Sequence, residues 1–309
     1  MPLRPAAVAF DVIETLMPLE PLRDQFTAVG LPPHLLELWF TRTLRDGIAL
    51  AATGDYAPFG EVATQALRIV SGYQVDEAGI AHVLAGLSEL PAHPDVLPAA
   101  RLLAGAGIRL ACLTNGSAAV TGAFVQRAGL GGYVERVISV EEAGTWKPPA
   151  AVYRHAARVL GVAPERLALV AAHAWDCHGA SRAGLVTGWV SRLEQEYSPI
   201  FAAPDITGRD LTEVAHGLLD LPATSTSELL DAAATSEADG EQVGRLLVPA
   251  RPPPGCDGEQ RGRGQDHAAG QSPPQRAGNA ADVAPGPAVA GHHRRRDQQR
   301  VPRGVRPPG

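Results

Sequence analysis

The side chains that could do chemistry in this 309-residue chain sit where apolar runs end. The run Ala6–Phe10 stops at Asp11, and Thr15 follows in the next turn. "CLTNGS" closes on Thr114, Asn115 and Ser117, "EEAGTWKPP" carries Lys147 with Tyr153 shortly after, and "LALVAAHAWD" delivers His173 and Asp176. A lysine beside an aspartate keeps the carboxylate ionised and therefore nucleophilic. The tips of four strands thus bring together one carboxylate, one hydroxyl–amide pair, one ammonium and one more carboxylate. Singly, each has an ordinary use. An aspartate after a strand is a common helix N-cap, "TNGS" reads as a turn, and Asp176 could cap a helix.

Lys147 is the only lysine; the other 26 basic residues are arginines. A lysine kept in that background suggests a place where a compact ammonium does what a guanidinium cannot.

Parallel strands must position these groups. From about residue 92 to 220, short apolar runs alternate with helical stretches. The strands are "IRLACLT", "YVERVISV", "LALVAA" and "VTGWVSR". The helices include "PDVLPAARLLAGAG", "PAAVYRHAARVLG" and "DLTEVAHGLLDL". In "PAAVYRHAARVLG" the expected apolar face is Val152, Ala156 and Val159. This pattern predicts an α/β fold, a Rossmann-like doubly wound parallel sheet with its chemistry at the C-terminal ends of the strands. Residues 19–91 read as helices only, an all-helical cap inserted after the first strand. The expected division is therefore 1–18 and 92–223 for the catalytic core, 19–91 for the cap and 224–309 for a tail. Residues 251–309 hold 10 prolines and 10 glycines and no large apolar residue, so the tail is expected to be disordered.

The order and spacing of the strand-end residues resemble the haloacid dehalogenase superfamily over about residues 6–222. "FDVIETL", "LTNGS", "WKPPAAVY" and "AAHAWDCHGASRAGL" are similar to the type II, (S)-2-haloacid, dehalogenases. The resemblance implies displacement of halide from a short 2-haloalkanoic acid, giving the 2-hydroxy acid through an ester on Asp11. Thr15 and Lys147 would hold the Asp11 carboxylate, and Thr114 the substrate carboxylate. Asn115 would hold the leaving halide, Tyr153 would line the pocket, and Asp176 would position or activate water. Most superfamily members are phosphatases, with a general-acid aspartate and a Mg²⁺-holding aspartate where Ile13 and Ala172 stand here. Without those acids a phosphate ester lacks its proton donor and the ion its ligands, whereas a halide leaves unaided. The expectation is therefore no metal and no cofactor. A phosphatase-like hydrolase of the same superfamily and a catalytically inactive binding homologue are the alternatives.

The sequence also departs from the dehalogenase pattern. Glu14 replaces a glycine, Ala171 a serine and His173 an asparagine. Phe40 stands at the place of the cap arginine that cradles the halide, with Arg42 or Arg45 as substitutes on the same helix and Arg42 the expected one. Trp39, Phe40 and Trp175 are candidates for the apolar wall of the pocket, or for core. The net charge of −6 points away from nucleic acid and anionic membranes, and no apolar run is long enough to span a bilayer. Cys112, Cys177 and Cys256 have no metal spacing, which fits a reducing cytoplasm. The expected partner is a small-molecule 2-haloacid, and a homodimer is left open.

Overall fold

The computed structural model describes residues 1–223; the tail, 224–309, lies outside the described residues. One sheet of six strands has the order β3-β2-β1-β4-β5-β6, with each neighbouring pair parallel. The strands are β1 (Ala7–Phe10), β2 (Arg109–Thr114), β3 (Val134–Ser139), β4 (Leu167–Ala171), β5 (Val186–Val190) and β6 (Ile206–Gly208). The four central strands β2, β1, β4 and β5 are buried almost throughout, as near-continuous apolar runs require.

Helices cover both faces. On one side Val8, Phe10, Leu110, Cys112 and Val170 pack with α5 (Val96–Gly105), α6 (Ala118–Arg127) and α9 (Leu211–Asp220). On the other, Ala7, Ala9, Leu113, Leu169 and Trp189 pack with α7 (Ala150–Leu160) and α8 (Ala174–Arg182). Between β1 and α5 the chain forms only helices: α1 (Leu22–Ala28), α2 (Leu35–Thr53), α3 (Phe59–Val70), α4 (Glu77–Gly86) and one 3₁₀ turn. They are bound to one another by an edge-on contact of Phe26 with Trp39, 5.7 Å between centroids, and by the Trp39 indole donating to the Ala63 carbonyl at 2.9 Å.

Two details differ from the sequence reading. The three-residue edge strand β6 carries no apolar run of its own. It is fixed by Asp205, whose carboxylate accepts from the Thr187 amide at 2.8 Å and the Thr187 hydroxyl at 3.0 Å. In α7 the buried face runs through Val152, Tyr153, Ala156, Ala157 and Leu160, and Val159 is exposed. The helix buries the edge nearer Tyr153, because that side chain reaches into the site. Among the described residues no helix is long and apolar enough to cross a membrane.

Candidate active site

The strand order reverses at β1, which lies between β2 and β4. Such a switch point opens a crevice beyond the carboxyl ends of the strands. Phe10 pairs with Cys112 on one side and Val170 on the other, and the Asp11 amide donates to the Val170 carbonyl at 2.9 Å. Asp11 is thus the first residue beyond the middle of the sheet. A tight turn then brings Thr15 back beneath it, with the Leu16 amide bonded to the Val12 carbonyl at 2.8 Å. The Thr15 hydroxyl donates to Asp11 Oδ2 at 2.7 Å and accepts from the Ala172 amide at 2.9 Å, which ties the tips of β1 and β4 together. Glu14, within that turn, has a φ of 67°. This left-handed region favours glycine, so the backbone requirement persists although the residue has changed.

Lys147 enters from the segment before α7. Its amide donates to Asn115 Oδ1 at 3.0 Å, leaving the NH₂ end of Asn115 to donate elsewhere. Its neighbour Trp146 stacks on Phe59 and donates to the Ala57 carbonyl at 2.9 Å. Gly47 of α2 passes so close to the Trp146 ring that any Cβ there would overlap it. The helices inserted after β1 therefore clamp the segment that presents Lys147. The Lys147 ammonium, wholly enclosed, donates to Asp11 Oδ1 at 2.9 Å and to Asp176 Oδ2 at 2.7 Å. Asp176 lies in the first turn of α8, where His173 is the N-cap residue, so it does not cap that helix. The Tyr153 hydroxyl donates to Asp176 Oδ1 at 2.6 Å. Gly179 makes this contact possible: a Cβ there would stand 2.6 Å from the Tyr153 oxygen.

His173 completes the chain of contacts. Its Nδ1 lies 3.2 Å from Asp11 Oδ2 and its Nε2 2.9 Å from Glu14 Oε2. The hydrogen bonds run unbroken through Glu14, His173, Asp11, Lys147, Asp176 and Tyr153. Burial pushes the Asp11 carboxyl up, but Lys147, His173 and Thr15 together pull it well below the usual carboxylate range. Asp176 moves the other way. Burial and the nearby Asp11 charge raise it, against the pull of Lys147 and Tyr153. Burial alone would lower Lys147, yet two carboxylates raise it, so it stays an ammonium. For His173, burial is likewise outweighed by hydrogen bonds to Asp11 and Glu14, and the imidazole is raised to about 10. Tyr153 is pushed well above its ordinary value by burial and by Asp176, which keeps it a donor. The outcome is a charged carboxylate held between an ammonium and an imidazolium.

The haloacid dehalogenase-like hydrolase family model matches residues 5–184. The chain belongs to this family. The chain is 28% identical over 218 residues to (S)-2-haloacid dehalogenase H-109 of Pseudomonas putida, covering 69% of this chain and 97% of the relative. It is 27% identical to haloacetate dehalogenase H-2 of Moraxella sp. (strain B), covering 68% and 96%. The structure of L-2-haloacid dehalogenase from Xanthobacter autotrophicus with chloropropionic acid covalently bound superposes with a TM-score of 0.65. That match has 25% identity and covers 70% of this chain and 99% of the other.

Beside the hydrolase-family residues lies a cleft of about 640 Å³ between α2 and the tips of β1 and β4. Phe40, Leu44, Ile48, Leu193 and Trp175 give it an apolar side, and Glu14, Glu20, Glu37, Glu194, Arg23, Arg45 and His173 form the charged and polar part of its wall. Phe40 and Trp175 line the cleft, whereas Trp39 is core, with no exposed surface. The two cap arginines lie differently. Arg45 lines the cleft and donates to Asp46 at 2.9 Å through Nε, whereas Arg42 does not line it. The cleft face of α2 carries residues 36, 37, 40, 41, 44, 45 and 48. Position 42 projects over 90° from its centre at 100° per residue, toward Asp46, whose Oδ2 is 3.8 Å from the Arg42 Nε. A second cavity, about 670 Å³, lies between α2 and α3 and holds none of the chemistry-bearing residues. Thr114 and Ser117 serve their loop, accepting from the Gly116 amide at 2.9 Å and the Val120 amide at 3.2 Å. The contact of Glu14 with His173 was not foreseen. The signal for it was that both positions depart from the dehalogenase pattern at once.

Proposed function

We propose that this hydrolase converts short 2-haloalkanoic acids to 2-hydroxy acids through an ester on Asp11. The observation that carries the reading is a charged carboxylate at the switch point, ion-paired to Lys147, with Ile13 in place of a general acid two residues on. The names of the relatives point the same way. One Asp11 oxygen attacks C2 of the substrate from the side opposite the halogen. The carbon–halogen bond breaks and the halide leaves with its electron pair. A halide needs donors and an apolar surround rather than a proton, and the NH₂ end of Asn115 and the cleft side chains supply these. Thr114 is the proposed partner of the substrate carboxylate, with Arg45 at the cleft mouth. Water then attacks Cγ of Asp11, and the ester opens to the hydroxy acid and a carboxylate carrying one new oxygen.

The residues do not fit a divalent cation beside Asp11. The Lys147 ammonium already stands against its carboxylate, and Ile13 and Ala172 offer no side-chain oxygen to an ion. No step is assigned to a metal. The two buried, free cysteines, Cys112 and Cys177, support a reducing cytoplasm as the place of action.

A single turnover of 2-chloropropionate in ¹⁸O-water, with enzyme in excess, tests the proposal. The product should be unlabelled and Asp11 labelled, the rate should be unchanged by EDTA, and Asp11→Asn should abolish turnover. Label in the first-turnover product, or activity that disappears with EDTA and returns with Mg²⁺, would overturn it.

A further inference from the structure

Two departures from the dehalogenase pattern are bonded to each other. Among the described residues the Glu14 carboxylate has one hydrogen-bond partner, His173 Nε2 at 2.9 Å. A φ of 67° is a conformation that side chains other than glycine's rarely adopt, yet Glu14 holds it with its carboxylate on one imidazole nitrogen. The other nitrogen, Nδ1, is 3.2 Å from Asp11 Oδ2. The ring rests against Trp175, with centroids 5.3 Å apart, and Glu14, His173 and Trp175 all line the cleft. His173 makes no hydrogen bond that caps α8, so helix capping does not explain it.

Ester hydrolysis needs a base that water can reach. Asp176 is a poor one. Its side chain has no exposed surface, and its oxygens are held by Lys147 at 2.7 Å and Tyr153 at 2.6 Å. His173 borders the cleft and faces the carboxyl that becomes the ester.

We infer that His173, positioned by Glu14, is the general base for the water that cleaves the Asp11 ester. The inference rests on the dehalogenase reading above. In the resting enzyme two carboxylates keep the imidazole protonated. Ester formation removes the Asp11 charge, and the imidazolium releases its Nδ1 proton to solvent through the cleft. Water then attacks Cγ of Asp11 and gives a proton to Nδ1, while Glu14 accepts from Nε2–H and stabilises the imidazolium. The tetrahedral intermediate expels the hydroxy-acid oxygen, which takes the Nδ1 proton. The new Asp11 carboxylic acid returns its own proton to His173. One water is consumed, and one proton and one halide are released per turnover.

The test is a rapid-quench comparison of wild type, His173→Ala and Glu14→Gln with 2-chloropropionate, reading halide and intact protein mass. His173→Ala should release one halide per site in a burst, then stall. The ester should accumulate on Asp11 and open about 10²–10⁴-fold more slowly than in wild type. Glu14→Gln, which keeps the shape of the side chain and loses its charge, should slow the same step less and still accumulate ester. A merely structural role would lower alkylation and hydrolysis together and leave no adduct, and that result overturns the inference. So would continuous turnover of His173→Ala at the wild-type rate. If His173→Ala does not fold, accumulation of ester in Glu14→Gln decides. Wild type that releases no halide and forms no adduct would instead overturn the dehalogenase reading itself.

Discussion

Lys147→Met keeps the stem of the side chain and removes the ammonium that Asp11 and Asp176 share. Lys147 is fully enclosed, with its partners at 2.9 and 2.7 Å, so no water replaces the lost charge. Breaking a buried ion pair by removing one partner costs roughly 3–5 kcal/mol. The cost is limited because one of the two stranded carboxylates can take a proton, and each unit of raised pKa is worth about 1.4 kcal/mol. The sign follows directly. In the variant, folded-state carboxyls are raised above their unfolded value, so the folded state binds more protons and loses stability as pH rises through that window. In wild type, Asp11 is lowered from 3.8, and the stability it contributes is present above that value and lost as pH falls. Both effects close the gap between the two proteins at low pH. Urea titrations at a series of pH values should show a deficit of a few kcal/mol at pH 7 that shrinks as the variant's raised carboxyl takes its proton, and shrinks further below about pH 4 as wild type loses the Asp11 contribution. A deficit below about 1 kcal/mol at pH 7, or one independent of pH, would refute the idea that Lys147 neutralises both carboxylates.

On the cleft wall, Arg45→Ala should raise KM for a 2-haloacid more than Arg42→Ala does, since only Arg45 lines the cleft; steady-state kinetics of the two variants would show it. Glu14→Gly should be more stable than Glu14→Ala by about 1–2 kcal/mol, because both lose the bond to His173 and only glycine relieves the left-handed φ; urea midpoints measure the difference. Gly179→Ala should cost about 1–3 kcal/mol, as the new methyl would stand 2.6 Å from both the Tyr153 hydroxyl and the Pro148 carbonyl. It should also loosen the Tyr153 contact with Asp176, visible as a downward shift of the Tyr153 titration.

Legibility from sequence followed how local the determining physics was. Strands β1, β2, β4 and β5 are short, mostly apolar runs, and each was readable without its neighbours. The alternation of strand and helix then required that the strand-end groups meet at one edge, and Asp11, Lys147, His173 and Asp176 do. What could not be read was set by contacts distant in the chain. The edge strand β6 exists through Asp205 and its pairing with β5, not through any pattern of its own. The choice between Arg42 and Arg45 depends on how α2 is rotated, and that rotation is fixed by Gly47 against Trp146, about 100 residues away in sequence. Glu14 shows the same limit at the site itself. As a single position it reads as the loss of a glycine; only the placement of His173 from the far side of β4 turns that loss into a second carboxylate for the histidine that touches Asp11.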